Sequence, residues 1–288
     1  MRLFDRMLFV DWSAAAVPTM GKDSIWIADT APVEGEGVQN IPTRAEATRY
    51  IRDAIEWTRG ARRLFIGLDF AFGYPSDAAG LPGQGRWEAV WAWLADHLLD
   101  ADDNANDRFE IAARLNASWD EPGPFWAHPP RQHHEGLAPT KPDYAVLGVR
   151  ERRHVDALVP SAQPVWKLAY PGSVGSQALT GIARLQALRD ERVAIWPFET
   201  GFADDLSKPV TVAELYPSLW TIAEREGEVK DAAQVRTLAA GFAAHDDAGA
   251  FRPFLDGPRK QPDGVREDAL THEAWMVGMA DAPLPLFP

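Results

Sequence analysis

Two apolar runs, each closed by an aspartate, constrain this chain more than anything else in it. Met7, Leu8, Phe9 and Val10 lead into Asp11, and Leu64, Phe65, Ile66, Gly67 and Leu68 lead into Asp69. Continuous apolar runs without alternation suit strands covered on both faces, the habit of parallel sheets. Between them, Ser24 to Asp29 reads as a further strand, able to pair with the first as a hairpin across a loop holding Pro18 and Gly21. Thr43 and Glu46 have capping-box spacing, and Ala47, Tyr50, Ile51, Ala54 and Trp57 follow at helical intervals until Gly60. Strand, helix, strand in that order predicts a right-handed crossover and an α/β sheet.

From about residue 80 to 190 the character changes. Trp87, Val90, Trp91, Leu94 and Leu98 mark one amphipathic helix, and proline-rich, loop-rich sequence follows. Such an interior predicts an inserted helical and loop-rich subdomain, or a lid, within a single domain spanning 1–288. Pro171 to Leu188 begins with a glycine and serine turn whose exposed amides can hold an anion, or simply start a helix. Strand-like runs return at Arg192 to Thr200 and Val210 to Pro217, before helices expected at Asp231 to Phe242 and at Glu267 to Ala280.

Composition removes several chemistries. The chain has no cysteine, which excludes disulfides, thiolate zinc sites and cysteine nucleophiles, and leaves oxygen and imidazole ligands suited to magnesium or manganese. A net charge of -13 disfavours a long nucleic-acid footprint, although a local basic groove stays open. No apolar run approaches the ~18 residues of a membrane span, and the expected location is cytoplasmic. Serine-hydrolase, Walker and dinucleotide-binding signatures are missing.

Four carboxylates share one peculiarity. Asp11, Asp69 and Glu214 interrupt or end apolar strand runs, and Glu273 has Leu270, Ala274, Met276, Val277 and Ala280 as expected helical neighbours. An ionised carboxylate buried without a partner costs several kcal/mol, so four such acids call for a shared positive charge. Two divalent cations ~4 Å apart, held by three or four carboxylates, support phosphodiester hydrolysis without cysteine or histidine. The alternative for each acid is a loop cap or an arginine partner.

The segments "DWSA", "GKDSIWIA", "GLDFAFGYP", "DRFEIAARLN", "YPGSVGSQAL", "WPFET", "AELYPSLW", "VKDAAQVR" and "THEAWMVGM" resemble predicted nucleases of the RNase H-like superfamily. The nearest likeness is to an uncharacterised bacterial family, some of whose members are labelled cobalamin or molybdopterin-guanine dinucleotide biosynthesis proteins. The resemblance implies an RNase H-like mixed sheet flanked by helices and a magnesium- or manganese-dependent phosphoester hydrolase. Carried over, the first-strand aspartate is Asp11, the later strand acid Glu214, the last-helix acid Glu273 and the "D-x-P" aspartate Asp69. Here the proline, Pro75, stands six positions after Asp69, and Glu273 stands where related nucleases have aspartate, so Asp268 is a substitute ligand. From a different class comes a non-catalytic protein, with a degenerate site, binding a small ligand in a tryptophan-lined pocket or assisting cofactor metabolism.

Three further features remain. His128, His133 and His134 can form a transition-metal site or be ordinary loop histidines. Arg108 can clamp a phosphate or carboxylate, oriented by Asn104 and Asn106, or pair with a neighbouring acid at an asparagine-capped helix start. Lys230, Arg236, Asp246 and Asp247 flank a helix and read as solvated charges without a catalytic role.

Overall fold

The computed structural model describes residues 1–32, 37–119 and 122–288. Six strands, β1 (Arg6–Asp11), β2 (Ile25–Asp29), β3 (Val38–Ile41), β4 (Leu64–Leu68), β5 (Val193–Ile195) and β6 (Val210–Glu214), form one mixed sheet in the order β3-β2-β1-β4-β6-β5. β1 pairs antiparallel with β2 and β2 with β3, while β1, β4, β6 and β5 are mutually parallel. Every residue of β1, β4 and β6 is buried, as expected of strands covered on both faces. The helix α1 (Arg44–Trp57) makes the crossover from β3 to β4, its start capped by Thr43, whose hydroxyl accepts from the Glu46 amide.

Side chains alternate across the sheet and so sort into two layers. Leu8, Val10, Leu64, Ile66, Leu68, Val210 and Val212 face a core shared with α1, α2 (Trp87–His97) and α6 (Val174–Gln186). Between α2 and α6 lie α3 (Arg108–Asn116) and the short helices α4 (Tyr144–Leu147) and α5 (His154–Leu158). Met7, Phe9, Phe65, Ala213 and Leu215 face the opposite core, where α7 (Lys230–Asp247) contributes Val235, Leu238 and Phe242. Asp11 continues the row of Met7 and Phe9, and Asp69 that of Phe65, so both belong to the α7 side. Glu214 follows Val210 and Val212 in the other row.

Four expectations change. The final helix is short: α8 (Asp263–Asp268) passes into a single π-helical turn over Ala269–Glu273, which stops at Ala274 with φ 61°. Trp275, Met276 and Val277 then run extended beside β6, the Val277 amide donating to Glu214 O at 3.0 Å. Their apolarity serves a segment buried on all sides, which from spacing alone looks like a helix. The strand expected from Arg192 ends at Ile195, because Pro197 has no N–H for the ladder. The run expected to reach Pro217 ends at Glu214. Asp246 is not solvated; it is fully buried and accepts from the Leu3 and Phe4 amides.

Among the described residues no helix is long and apolar enough to cross a membrane. Phe242 is the main anchor of α7, its ring centroid 5.2 Å from Phe9, 5.0 Å from Phe254 and 5.5 Å from Trp220. Phe242→Ala is expected to cost about 3–5 kcal/mol in urea unfolding. A loss below about 1 kcal/mol would mean that this ring does not hold the helix.

Candidate functional site

The register Val10↔Leu68 places Asp11 and Asp69 side by side just beyond the paired ends of two parallel strands, where the Asp69 amide donates to Val10 O at 2.9 Å. The carboxyl ends of strands in open α/β sheets are where ligands bind. Packing of α7 on β1 and β2 brings its first turn, with Asp231, to the same edge. Asp231 accepts from the Asp23 amide at 2.8 Å, which ties α7 to the loop ahead of β2. Asp11, Asp23 and Asp231 line a cavity of about 750 Å³. Asp69 lies in a small crevice with Glu214 and Arg153.

The carboxyls repel one another and are kept from water. Burial pushes Asp11 well above the usual carboxylate range, with the charges of Asp69, Asp231 and Asp23 adding to it and Lys230 opposing. Burial likewise pushes Asp69 up to about 7, helped by Glu214 and Asp231. Asp231 is raised by burial, which the hydrogen bond from the Asp23 amide opposes and the Asp23 charge reinforces. Among the described residues, neither Asp11 nor Asp69 has a hydrogen-bond or ion-pair partner for its side chain. Asp231 has only the Asp23 amide. Buried carboxylates are ordinarily paired; among the described residues Asp11 is buried without a side-chain partner, while Asp69 and Asp231 are partly exposed.

The other expected ligands are paired. Arg153 grips Glu214 with both terminal nitrogens, at 2.6 Å to Oε1 and 2.7 Å to Oε2, and the Phe72 amide adds a third bond at 2.9 Å. Asp156 holds the opposite side of the same guanidinium at 2.9 and 3.0 Å. Burial pulls Arg153 down, but Asp156 and Glu214 more than offset it and leave it raised. Glu273, fully buried, accepts from the Ser76 amide at 2.9 Å, the His154 amide at 2.6 Å and Arg150 at 2.6 Å. Gly73 permits this closure, since a Cβ there would meet His272 O at 1.9 Å. Asp268 bonds His154 Nε2 at 2.9 Å. Oxygen and nitrogen atoms of His154, Asp268 and Glu273 lie within 4.8 Å of one another, close enough for a cation. Arg150 already supplies positive charge there, at 4.0 Å from Asp268 and bonded to Glu273.

The four expected acids therefore divide. Asp11 and Asp69 meet unpaired, Glu214 borders them with an arginine in hand, and Glu273 with Asp268 belongs to a separate ion-pair network. Asp231 and Asp23 went unnoticed in the sequence. Asp231 opens a recognisable helix, but an acid in a first turn is commonplace because it complements the helix dipole.

The remaining candidates line or flank the cavity. Among the described residues Arg108 makes no ion pair, Glu110 and Asp100 acting on it only through their charge; it donates to Asn106 Oδ1 at 2.7 Å and to Ser176 Oγ at 3.0 Å. Asn104 does not orient it, because its side chain serves the Arg44 amide and the carbonyls of Val17 and Pro42. In the turn before α6, the Val174 and Gly175 amides donate to Gly172 O and Lys167 O, so the expected anion nest is partly committed to backbone. His134 stacks on Phe109 and sits 3.2 Å from Glu110; among the described residues no group of three ligands includes His128, His133 or His134. Trp12 is the one tryptophan among the residues lining the cavity. Lys230 lies close enough to lower Asp11, whereas Arg236 pairs with Glu228 at 2.7 Å.

Comparison with protein-family models, with curated proteins and with solved structures finds no match.

Because Asp69 sits near 7 when folded, against about 4 in an unfolded chain, the folded state holds the extra proton between those values. Stability therefore falls as pH rises from about 4 to about 7. Asp69→Asn should flatten that slope and raise Tm above neutrality, by roughly 2–4 °C for each kcal/mol of strain relieved. Differential scanning calorimetry across this range checks it; an unchanged slope in the variant would show that Asp69 titrates normally.

Proposed function

We propose that the protein is a metal-dependent phosphoester hydrolase of nuclease-like type, with magnesium or manganese held by Asp11, Asp69 and Asp231 on an RNase H-like scaffold. The single observation that carries this reading is Asp11 and Asp69 on neighbouring strand ends, without a cationic partner and with the charge of Asp231 acting on both, beside a large cavity; among the described residues their oxygens do not form a group of three within 4.8 Å, so a cation would have to draw them together. Support for the scaffold comes from the sheet itself, an antiparallel β1-β2-β3 ribbon followed through crossovers by parallel β4 and β6. In this reading, residues of about 80–190 are an insertion that walls the cavity.

The donor set fits a hard cation, being all oxygen and already strained by mutual repulsion. A bound divalent cation supplies Lewis-acid polarisation of a phosphoryl oxygen and lowers the pKa of water. Asp11 and Asp69 contribute from adjacent strands, and Asp231 from the start of α7. Ionised Asp69 is required, so binding should strengthen through about pH 7. Arg153 holds Glu214 in place and keeps that carboxylate from competing for the cation. The expected substrate is a phosphoester acted on in the cytoplasm, a long nucleic acid being disfavoured by the net charge of -13.

Calorimetry with manganese tests this. Wild type and Asp268→Asn should bind, whereas Asp11→Asn, Asp69→Asn and Asp231→Asn should each bind at least about tenfold more weakly. Equal binding by wild type and Asp231→Asn, or loss in Asp268→Asn alone, would move the metal to the His154 group or remove it.

A further inference from the structure

The cavity has a second charged group. Arg108 lies on its wall together with Phe109, Ser173 and Ser176. Its guanidinium is fixed from three sides. Nε donates to Ser176 Oγ at 3.0 Å, Nη1 donates to Asn106 Oδ1 at 2.7 Å, and the group sits 4.5 Å over the Phe109 ring. The Ser176 hydroxyl gives its own proton to Leu168 O at 2.6 Å, so toward Arg108 it acts only as an acceptor. Among the described residues, Nη2 has no partner and no carboxylate lies within ion-pair distance of Arg108.

That is unusual within this molecule. Arg6 is paired with Asp29, Arg44 with Asp100 and Arg153 with both Asp156 and Glu214. Each of these is a buried arginine compensated by carboxylate. Arg108 is mostly withdrawn from water, held by neutral groups only, and faces open volume. Burial, followed by the charge of Arg44, lowers its pKa to about 10, so it stays protonated at neutral pH and gains from any anion beside it. A guanidinium with a free N–H edge suits a phosphate oxygen.

We propose that Arg108 forms a phosphate-holding subsite in the cavity that Asp11 and Asp231 also line, so that the substrate carries a second phosphate besides the one hydrolysed. The inference rests on the hydrolase reading for its scissile group, but the subsite itself binds without metal. A volume of about 750 Å³ lies in the range of small-molecule sites, which makes a doubly phosphorylated small molecule the expected source. A phosphate of a nucleic-acid strand shares the same chemistry.

The test is calorimetry near neutral pH in the presence of chelator. The probes are inorganic phosphate, adenosine 3′,5′-bisphosphate and a single-stranded tetranucleotide, with wild type, Arg108→Gln, Arg108→Lys and Asp11→Asn. Wild type should bind the bisphosphate. Arg108→Gln should weaken it about tenfold or more, Arg108→Lys should fall between, and Asp11→Asn should bind no worse than wild type. Should Arg108→Gln fail to fold, Arg108→Lys carries the comparison, since it keeps the charge and loses the planar donor edge. Arg108-dependent binding of the bisphosphate supports a small-molecule source, and of the tetranucleotide alone a strand. Absence of binding by wild type, or equal binding by wild type and both Arg108 variants, overturns the subsite. Failure of manganese to bind while Arg108-dependent phosphate binding persists would instead overturn the hydrolase reading alone.

Discussion

The site depends on a repulsion. Two aspartates, one residue past the paired ends of adjacent parallel strands, are pressed together by the ladder and withdrawn from water, and α7 delivers a third carboxyl to the same place. Backbone hydrogen bonds of β1 and β4 fix the first pair, and the aromatic cluster around Phe242 fixes the third. A chain selected only for stability has no use for this arrangement, since pairing one acid with an arginine would relieve it. On the proposed reading, binding of a cation would offset the strain.

The rest of the molecule shows that the chain has the means for such pairing. Glu214, one strand over, is gripped by Arg153, and Glu273 collects three donors including Arg150. Asp246 takes up two amides of the N-terminal segment. Among the described residues lining the large cavity, Asp11 and Arg108 are without an ion-pair partner. Opposite charges lining one open volume, rather than joined in an ion pair, are the geometry expected of a binding site for a molecule that has something to offer both.

Much of the sheet was legible because burial on both faces writes itself as unbroken apolar runs. Met7 to Val10 and Leu64 to Leu68 became β1 and β4, and the hairpin partner β2 and the capped helix α1 followed from local chemistry. Asp11 and Asp69 stood out for the same reason, each ending such a run. Glu273 was misleading, since Trp275, Met276 and Val277 pack as an extended segment whose apolar content resembles a helix face. Asp231 was hidden by its ordinary position at a helix start, and only the packing of α7 on β1 and β2 gives it meaning. Whether an acid has an arginine partner is set by contacts such as Arg153 with Glu214, 61 residues apart, which no local spacing encodes.

The most direct measurement is the titration of Asp69 itself, followed through its side-chain carboxyl carbon by NMR in the metal-free protein. A midpoint near 7 is expected, falling toward the ordinary carboxylate range when magnesium is added. A midpoint near 4 without metal would show that the carboxyls neither repel nor lack water, and would contradict the origin of the site described above.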